Sequence, residues 1–144
     1  MIYLDSCALV KLILEEEETD ALVKFLDDYP QSEHVTSELA ITEVMRTLRR
    51  SRCDPHGQAR IDETTFTRLV KSAEVRLGAT GMLAVDQDVL RRAGALEEFN
   101  IKSLDAIHLA SALVLMPSLD SFVTYDAQLG KLAEGRGLRV AAPS

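Results

Sequence analysis

The sequence predicts a single α/β domain with a central, mainly parallel sheet that is flanked by helices. Short apolar runs alternate along the chain with longer segments in which apolar residues recur at helical spacing, which is typical of repeated βαβ units. The length of 144 residues is that of one ordinary domain, and neither a repeat nor a long linker divides it. We therefore expect one domain over residues 1–144.

The first half of the chain supplies two predicted strands and four predicted helices. An apolar run at residues 1–5 suits a buried strand that starts the chain, and a second short strand is expected at 35–37. The helices carry their apolar residues on one face and are separated by a charged corner or by turns containing proline or glycine. They are expected at 6–14, 19–27, 38–50 and 58–72.

The second half begins with a weak strand signal at 82–85, followed by Asp86, which is placed to cap a helix that runs to Glu97. A helix is expected at 103–115, and a β-rich run at 121–125 leads to Asp126. Asp126 is expected to cap a last helix of one to two turns, which stops at the glycines 135 and 137 before a terminal strand at 138–140.

The helix at 103–115 is apolar almost all the way round and should be largely buried, with Ser103 as its cap. Its first turn nevertheless contains a carboxylate, Asp105. Burying an unpaired carboxylate costs several kcal/mol. Either the helix macrodipole stabilises this charge, by about 0.3–1 kcal/mol, or Asp105 holds a cation together with other carboxylates.

Two further acids are expected at the same edge of the sheet. Asp5 and Asp126 each follow a predicted strand, and ligands in open α/β sheets bind at the carboxyl ends of the strands. Helix N-termini such as that of Asp105 usually meet this edge as well. Each acid also has a simpler interpretation as a helix N-cap, which is worth about 1 kcal/mol.

Glu43 is the fourth candidate acid. It lies at the border of the apolar stripe of the helix at 38–50, where it can reach a cleft while the helix stays docked. Arg46 and Arg50 share its side of the helix, with Arg49 and Arg52 nearby, and are candidates for binding phosphates. The alternative is a solvated face with a weak Glu43–Arg46 pair.

Composition restricts the function further. The net charge of −7 argues against a general nucleic-acid coat protein, but not against a nuclease whose acids bind a metal. The two cysteines and three histidines show no zinc-binding spacing. No apolar run approaches the roughly 20 residues that span a bilayer, and no signal peptide is visible. We therefore expect a cytoplasmic protein without a membrane segment.

Four stretches of the chain together resemble the PIN-domain ribonucleases, and specifically the VapC-type toxins of bacterial toxin–antitoxin pairs. They are residues 4–8, 37–44, 104–110 and 123–126. Their order, spacing and total chain length are similar to the family's from end to end, and the third stretch is the most specific. The resemblance implies a PIN-like three-layer fold, an RNA substrate, a cognate VapB-like antitoxin and a homodimer.

The resemblance also implies a metal site of four carboxylates supported by two hydroxyl residues. The carboxylates are Asp5, Glu43, Asp105 and Asp126, and the hydroxyl residues are Ser6 and Thr124. Cys7 departs from the family pattern, in which a hydroxyl residue is common. It is expected to alter the packing beneath Asp5 but to leave the site intact.

All-oxygen ligands select a hard cation, so magnesium or manganese is the expected cofactor. Such an ion polarises a phosphodiester oxygen and activates water, and the resemblance implies 5′-phosphate and 3′-hydroxyl products. Asp5 and Asp105 are assigned direct or water-mediated ligation. Glu43 is expected to orient or deprotonate the attacking water, and Asp126 to complete the shell or hold a second metal.

Other functions compete with the nuclease. A receiver-like, magnesium-binding phosphoacceptor module would need two adjacent acids after the first strand and a late lysine, whereas Asp5 stands alone. A haloacid-dehalogenase-like phosphatase would need an acid where Cys7 stands. A PIN-fold binding module without nuclease activity is disfavoured because all four acids are present. His108 is interpreted as a packed histidine rather than a catalytic one.

Overall fold

The sheet has five parallel strands, and the first strand of the chain lies at its centre. The computed structural model describes residues 1–144. Across the sheet, the order is β3 (Gly81–Leu83), β2 (His34–Ser37), β1 (Ile2–Leu4), β4 (Ser121–Val123) and β5 (Val140–Ala141). Leu4 pairs in register with Val123, so the residues that follow them, Asp5 and Thr124, leave the sheet side by side.

Seven α-helices cover the two faces of the sheet. They are α1 (Ser6–Leu14), α2 (Thr19–Asp27), α3 (Leu39–Ser51), α4 (Glu63–Gly78), α5 (Gln87–Gly94), α6 (Ser103–Leu115) and α7 (Ala127–Gly135). Side chains alternate along β1, so Ile2 and Leu4 pack among α1 to α4, whereas Tyr3 packs against α6 and α7. Helix α5 packs on α6. The predicted three-layer α/β fold is thereby confirmed.

Three helices, α1, α2 and α6, begin and end at the predicted residues, but the fourth helix differs. It was expected over 58–72 and instead covers Glu63–Gly78. Its start is fixed by Asp62, whose carboxylate accepts a hydrogen bond from the Thr65 amide at 2.9 Å. The preceding residues form a turn in which the Asp54 side chain accepts from two backbone amides. These local bonds compete with helix formation.

Other boundaries differ by a few residues. Helix α5 ends at Gly94 rather than at Glu97, and Leu96 turns inward to pack beside α6. The N-cap of α6 is Lys102 rather than Ser103, and no side chain caps this helix. Helix α7 has 9 residues, more than the one to two turns expected. None of the helices combines the length and apolar character that a membrane span requires.

Candidate active site

Asp5 is fixed at the end of β1 by contacts to both of its carboxylate oxygens. Its Oδ1 accepts a hydrogen bond from the Ser6 amide at 2.5 Å, so Asp5 is indeed the N-cap of α1. Its Oδ2 accepts from the Thr124 hydroxyl at 2.8 Å and from the Cys7 thiol at 3.1 Å. Capping alone therefore does not account for the orientation of the Asp5 side chain, because Thr124 and Cys7 hold its second oxygen toward the sheet edge.

Cys7 takes the place of the expected hydroxyl residue beneath Asp5. Its Sγ donates to Asp5 and accepts a hydrogen bond from the Tyr125 amide at 3.2 Å. Burial, followed by the negative charge of Asp5, raises the pKa of Cys7 to about 12. The thiol is therefore a neutral hydrogen-bond donor at physiological pH, which is the function that a serine hydroxyl would serve at this position.

Glu43 reaches the same edge from the second turn of α3. Its Oε2 accepts a hydrogen bond from the Ser6 hydroxyl at 2.5 Å and lies 2.7 Å from Nε2 of His108. Burial by itself raises the pKa of Glu43, but the hydrogen bonds from His108 and Ser6 outweigh it and lower the pKa overall. Glu43 is therefore an ionised carboxylate that α1 and α6 hold in one orientation.

His108 joins this acid to the buried core. It is 1% exposed, and its Nδ1 lies 2.8 Å from the Tyr3 hydroxyl. When Nε2 carries the proton shared with Glu43, Nδ1 of the neutral ring accepts the Tyr3 hydroxyl proton, so one tautomer satisfies both contacts. Burial lowers the pKa of His108, but Glu43 and Asp5 more than offset this and raise it.

Asp105 and Asp126 lie on the α6 and α7 side of this edge. Asp126 caps α7 through its Oδ1, which accepts from the amides of Gln128 and Leu129 at 2.8 and 2.9 Å. Asp105 lies in the first turn of α6, as expected. Burial raises the pKa of Asp105, and the charges of Asp126, Asp5 and Glu43 raise it further.

The four predicted carboxylates thus gather at one edge, but they do not form a closed cage. As the side chains stand, no group of three or more acidic, histidine or cysteine residues could hold a metal ion. Their chemistry nevertheless suits a hydrated Mg²⁺ or Mn²⁺, because Mg²⁺ keeps several waters and binds through one or two carboxylates and substrate phosphate. Burial and then the neighbouring carboxylates raise the pKa of Asp105, and a bound cation would offset the second of these causes.

A cavity of about 500 Å³ opens beside Glu43, between α1 and α3. Arg46 and Arg50 line it together with Glu43, as their spacing on the helix predicts. Arg49 does not line the cavity, and Arg52 lies over the ring of Phe66, 4.8 Å from its centroid. Two of the four arginines are therefore in a position to meet a ligand beside the acids.

The role of His108 is what sequence reasoning missed. The interpretation of His108 as a packed residue agrees with its burial, but its contact with Glu43 was not foreseen. A signal was present, because a histidine three residues after Asp105 interrupts an otherwise apolar helix. Its partner Tyr3 lies 105 residues away in sequence, and no local pattern identifies it.

Comparisons with known proteins agree in fold and family. The model of the PIN domain family matches residues 2–135. Ribonuclease VapC46 of Mycobacterium tuberculosis is 39% identical over 143 residues, which cover 99% of this chain and 98% of that protein. Ribonuclease VapC35 of the same species is 35% identical over 145 residues, covering 99% and 97%.

Two solved structures have the same fold at low sequence identity. FitAcB from Neisseria gonorrhoeae superimposes with a TM-score of 0.73 at 18% identity, over 99% of this chain and 98% of that one. VapBC2 from Rickettsia felis, bound to a DNA fragment from its promoter, gives a TM-score of 0.72 at 12% identity, over 100% of both chains.

Proposed function

The chain belongs to the PIN-domain family and, within it, to the VapC-type ribonucleases, and from this we propose that its acidic edge is the site of RNA cleavage. The proposed catalytic and metal-binding residues are Asp5, Glu43, Asp105 and Asp126. The chain acts as the endoribonuclease toxin of a toxin–antitoxin pair. Membership of this family argues against a receiver-like phosphoacceptor module, the most distant of the alternatives.

One observation carries the proposal: the Ser6 hydroxyl, one residue after Asp5, donates to Glu43 at 2.5 Å. This bond joins the acid of α3 to the acid at the end of β1. On the other side of Asp5, Thr124 donates to Asp5 and also accepts from the Asp126 amide at 3.1 Å. These contacts support the proposal that Ser6 and Thr124 are the supporting residues, since each of them links two of the acids.

The proposed roles follow from these contacts. Asp5 and Asp105 would hold Mg²⁺ or Mn²⁺ directly or through water, and Asp126 would complete the shell or hold a second ion. A bound ion of this kind supplies polarisation of a phosphodiester oxygen and acidification of water. Glu43 is ionised and held by two donors, so it orients the attacking water and accepts its proton. In-line attack leaves a 5′-phosphate and a 3′-hydroxyl.

RNA would approach over the cavity beside Glu43. Arg46 and Arg50 line that cavity, and guanidinium groups bind phosphate oxygens in a bidentate manner. The Arg50 guanidinium already donates to the Thr47 hydroxyl at 3.0 Å, which holds the side chain along the helix surface. These arginines would fix the phosphate backbone next to the acids, although the chain as a whole is acidic.

A protein partner is also proposed. The solved structures with this fold include a toxin–antitoxin complex from Klebsiella pneumoniae and VapBC2 from Rickettsia felis. By analogy, we infer a cognate VapB-like antitoxin for this chain, together with a homodimer of the toxin. Because the site is a cluster of carboxylates, an antitoxin that inhibits it directly would place a basic side chain there.

RNA cleavage tests the proposal most directly. We expect wild type to cut single-stranded RNA with Mg²⁺ or Mn²⁺ and to stop when the ion is chelated, and Asp105→Asn to be inactive. Asp88→Asn is a matched control, because Asp88 also lies in the first turn of a helix, α5, but its side chain is exposed to solvent. Equal cleavage by wild type and Asp105→Asn contradicts the mechanism. A folded wild type without activity supports the alternative of a PIN-fold binding module.

A further inference from the structure

Phe99 is the most exposed large apolar side chain of the molecule. It lies in the loop between α5 and α6, with 99% of its surface accessible, whereas the next large apolar residue, Val75, is 66% exposed. A single exposed apolar side chain needs no explanation by itself. The surroundings of Phe99, however, show that its exposure is imposed by the structure.

Both neighbours of Phe99 are tied to α7. The Glu98 carboxylate accepts two hydrogen bonds from the Arg136 guanidinium, at 2.7 and 2.9 Å. The Asn100 carbonyl accepts from Nε2 of Gln128 at 2.7 Å. The Ile101 amide donates back to the Glu98 carbonyl at 3.2 Å, which closes a tight turn around Phe99. The ring is thus presented to solvent on a fixed support and loses little backbone freedom when it binds a partner.

One of these contacts ties the Asn100 end of the turn to the acidic edge, whereas Arg136, at the other end of α7, holds Glu98. Gln128, which holds Asn100, also donates its backbone amide to Asp126 at 2.8 Å. On its other side, the loop leads within a few residues into the first turn of α6, which contains Asp105. Helix α3 packs on one face of the sheet and α6 and α7 pack on the other, so this turn and the arginines of α3 belong to opposite faces.

Two lysines accompany the ring. Lys102 follows the turn and is the N-cap residue of α6, three residues before Asp105. Lys131 borders a recess of about 500 Å³ that Asn100 and Gln128 also line, and it borders a second recess beside Asp126. Glu97 and Glu98 precede the ring, but Glu98 is paired with Arg136, whereas neither lysine forms an ion pair, so both lysines are free to contact phosphate.

We propose that Phe99, Lys102 and Lys131 form a second RNA subsite, on the side of the acids opposite to Arg46 and Arg50. The Phe99 ring stacks on an unpaired base, and the two lysines contact the phosphates beside it. This subsite rests on the proposed ribonuclease function and specifies its substrate as single-stranded or looped RNA, because only unpaired bases can stack on a side chain. Stacking on an aromatic side chain tolerates any base.

The first test measures binding of a single-stranded RNA and of the matching duplex, with a chelator present so that no RNA is cleaved. We expect Phe99→Ala to weaken binding of the single strand roughly tenfold and to leave the duplex within about twofold, since a base stacked on an aromatic side chain contributes on this scale. Val75→Ala, an exposed apolar residue on α4, serves as the control and should bind like wild type.

The second test uses the lack of tryptophan in the chain. Phe99→Trp introduces a single tryptophan, which can be excited selectively over the three tyrosines. The variant should bind the single strand as tightly as wild type, and stacking should quench its tryptophan fluorescence. Phe99→Leu keeps an apolar side chain without a ring and should bind as weakly as Phe99→Ala. Binding by Phe99→Leu at the level of wild type, or fluorescence that the single strand leaves unchanged, overturns the stacking role.

The remaining outcomes separate this inference from the proposed function. If wild type cleaves RNA and Asp105→Asn does not, but Phe99→Ala binds RNA as tightly as wild type, the subsite is wrong and the nuclease assignment stands. If RNA binding depends on Phe99 but no metal supports cleavage, the subsite stands and the catalytic proposal fails. If Phe99→Ala changes the mass of the protein in sedimentation but leaves RNA binding unchanged, the ring belongs to a protein interface instead.

Discussion

The Nε2 atom of His108 lies 2.7 Å from Oε2 of Glu43 and thereby connects α6 to α3 across the acidic edge. On the other side of the imidazole ring, the Tyr3 hydroxyl lies 2.8 Å from Nδ1. Glu43 is therefore not a mobile surface acid. Its orientation is set by a buried chain of polar groups that begins inside the central strand.

His108→Leu should lower kcat roughly 10- to 100-fold with little change in KM, as expected when a group that orients a catalytic carboxylate is removed. Tyr3→Phe, which keeps the ring and removes only the distant hydroxyl, should have a smaller effect. His108 helps to hold the pKa of Glu43 low, so its loss should raise that pKa and shift the acidic limb of the pH–kcat profile to higher pH. An unshifted limb in His108→Leu contradicts the positioning role.

Divalent cations should stabilise the protein. An ion at a concentration of about 100 times its Kd adds about 2.7 kcal/mol to the free energy of unfolding. For a domain of this size, this corresponds to a rise in Tm of roughly 5–10 °C. Thermal unfolding of wild type with and without Mg²⁺ or Mn²⁺ measures the shift. The same shift in Asp5→Asn would count against the metal site, whereas Asp88→Asn should behave like wild type.

Asp105→Asn should raise the Tm of the metal-free protein by a few degrees. Burial and the neighbouring carboxylates raise the pKa of Asp105 above its usual value of 3.8. The protonated Asp105 therefore contributes favourably to the stability of the fold below pH 3.8, and this contribution is lost as pH rises through the raised pKa. At neutral pH, its charge therefore destabilises the fold. The gain should disappear near pH 3, and an Asp105→Asn variant that is less stable than wild type at pH 7 would contradict this electrostatic account.

Arg46→Glu and Arg50→Glu should each weaken RNA binding at least tenfold, because each removes a favourable phosphate contact and adds a repulsive one. The Tm shift caused by Mg²⁺ should be unchanged, since neither side chain is a proposed ligand. Arg49→Glu is the matched control: it makes the same charge change on the same helix, but Arg49 does not line the cavity. Equal losses in all three variants would indicate only a general charge effect.

Cys7 should resist alkylation in the folded protein. With its pKa raised to about 12 by burial and by Asp5, the thiolate fraction at pH 8 is small, and Cys7 should react at least about 100-fold more slowly than free cysteine. Measuring iodoacetamide labelling in a Cys53→Ser background isolates this thiol. Labelling should become normal in urea, and rapid labelling of the folded protein would show that Asp5 and Cys7 are not packed as described.

The edge at which the acids gather could be predicted because parallel strands align their carboxyl ends. Asp5 and Asp126 follow strands, and Glu43 borders an apolar stripe, so the parallel direction of the strands and the helical spacing were enough to expect these acids at one edge. The start of α4 could not be predicted, because the residues before it also have a helical pattern of apolar residues. The hydrogen bonds that the Asp54 side chain accepts from two backbone amides hold these residues in a turn instead. The contact between Tyr3 and His108 depends on the packing of α6 on the sheet, which no local pattern encodes.

The position of β4 next to β1 also determines when activity can arise during synthesis. Asp5 is translated well before Thr124 and Asp126, which follow a strand that pairs with β1 only after residue 123 has been made. Until then, one edge of β1 is unpaired, and Asp5 and Glu43 lack the two acids of the second half. The proposed site is therefore assembled only after β4 has been made, and a chain that terminates before β4 should lack cleavage activity.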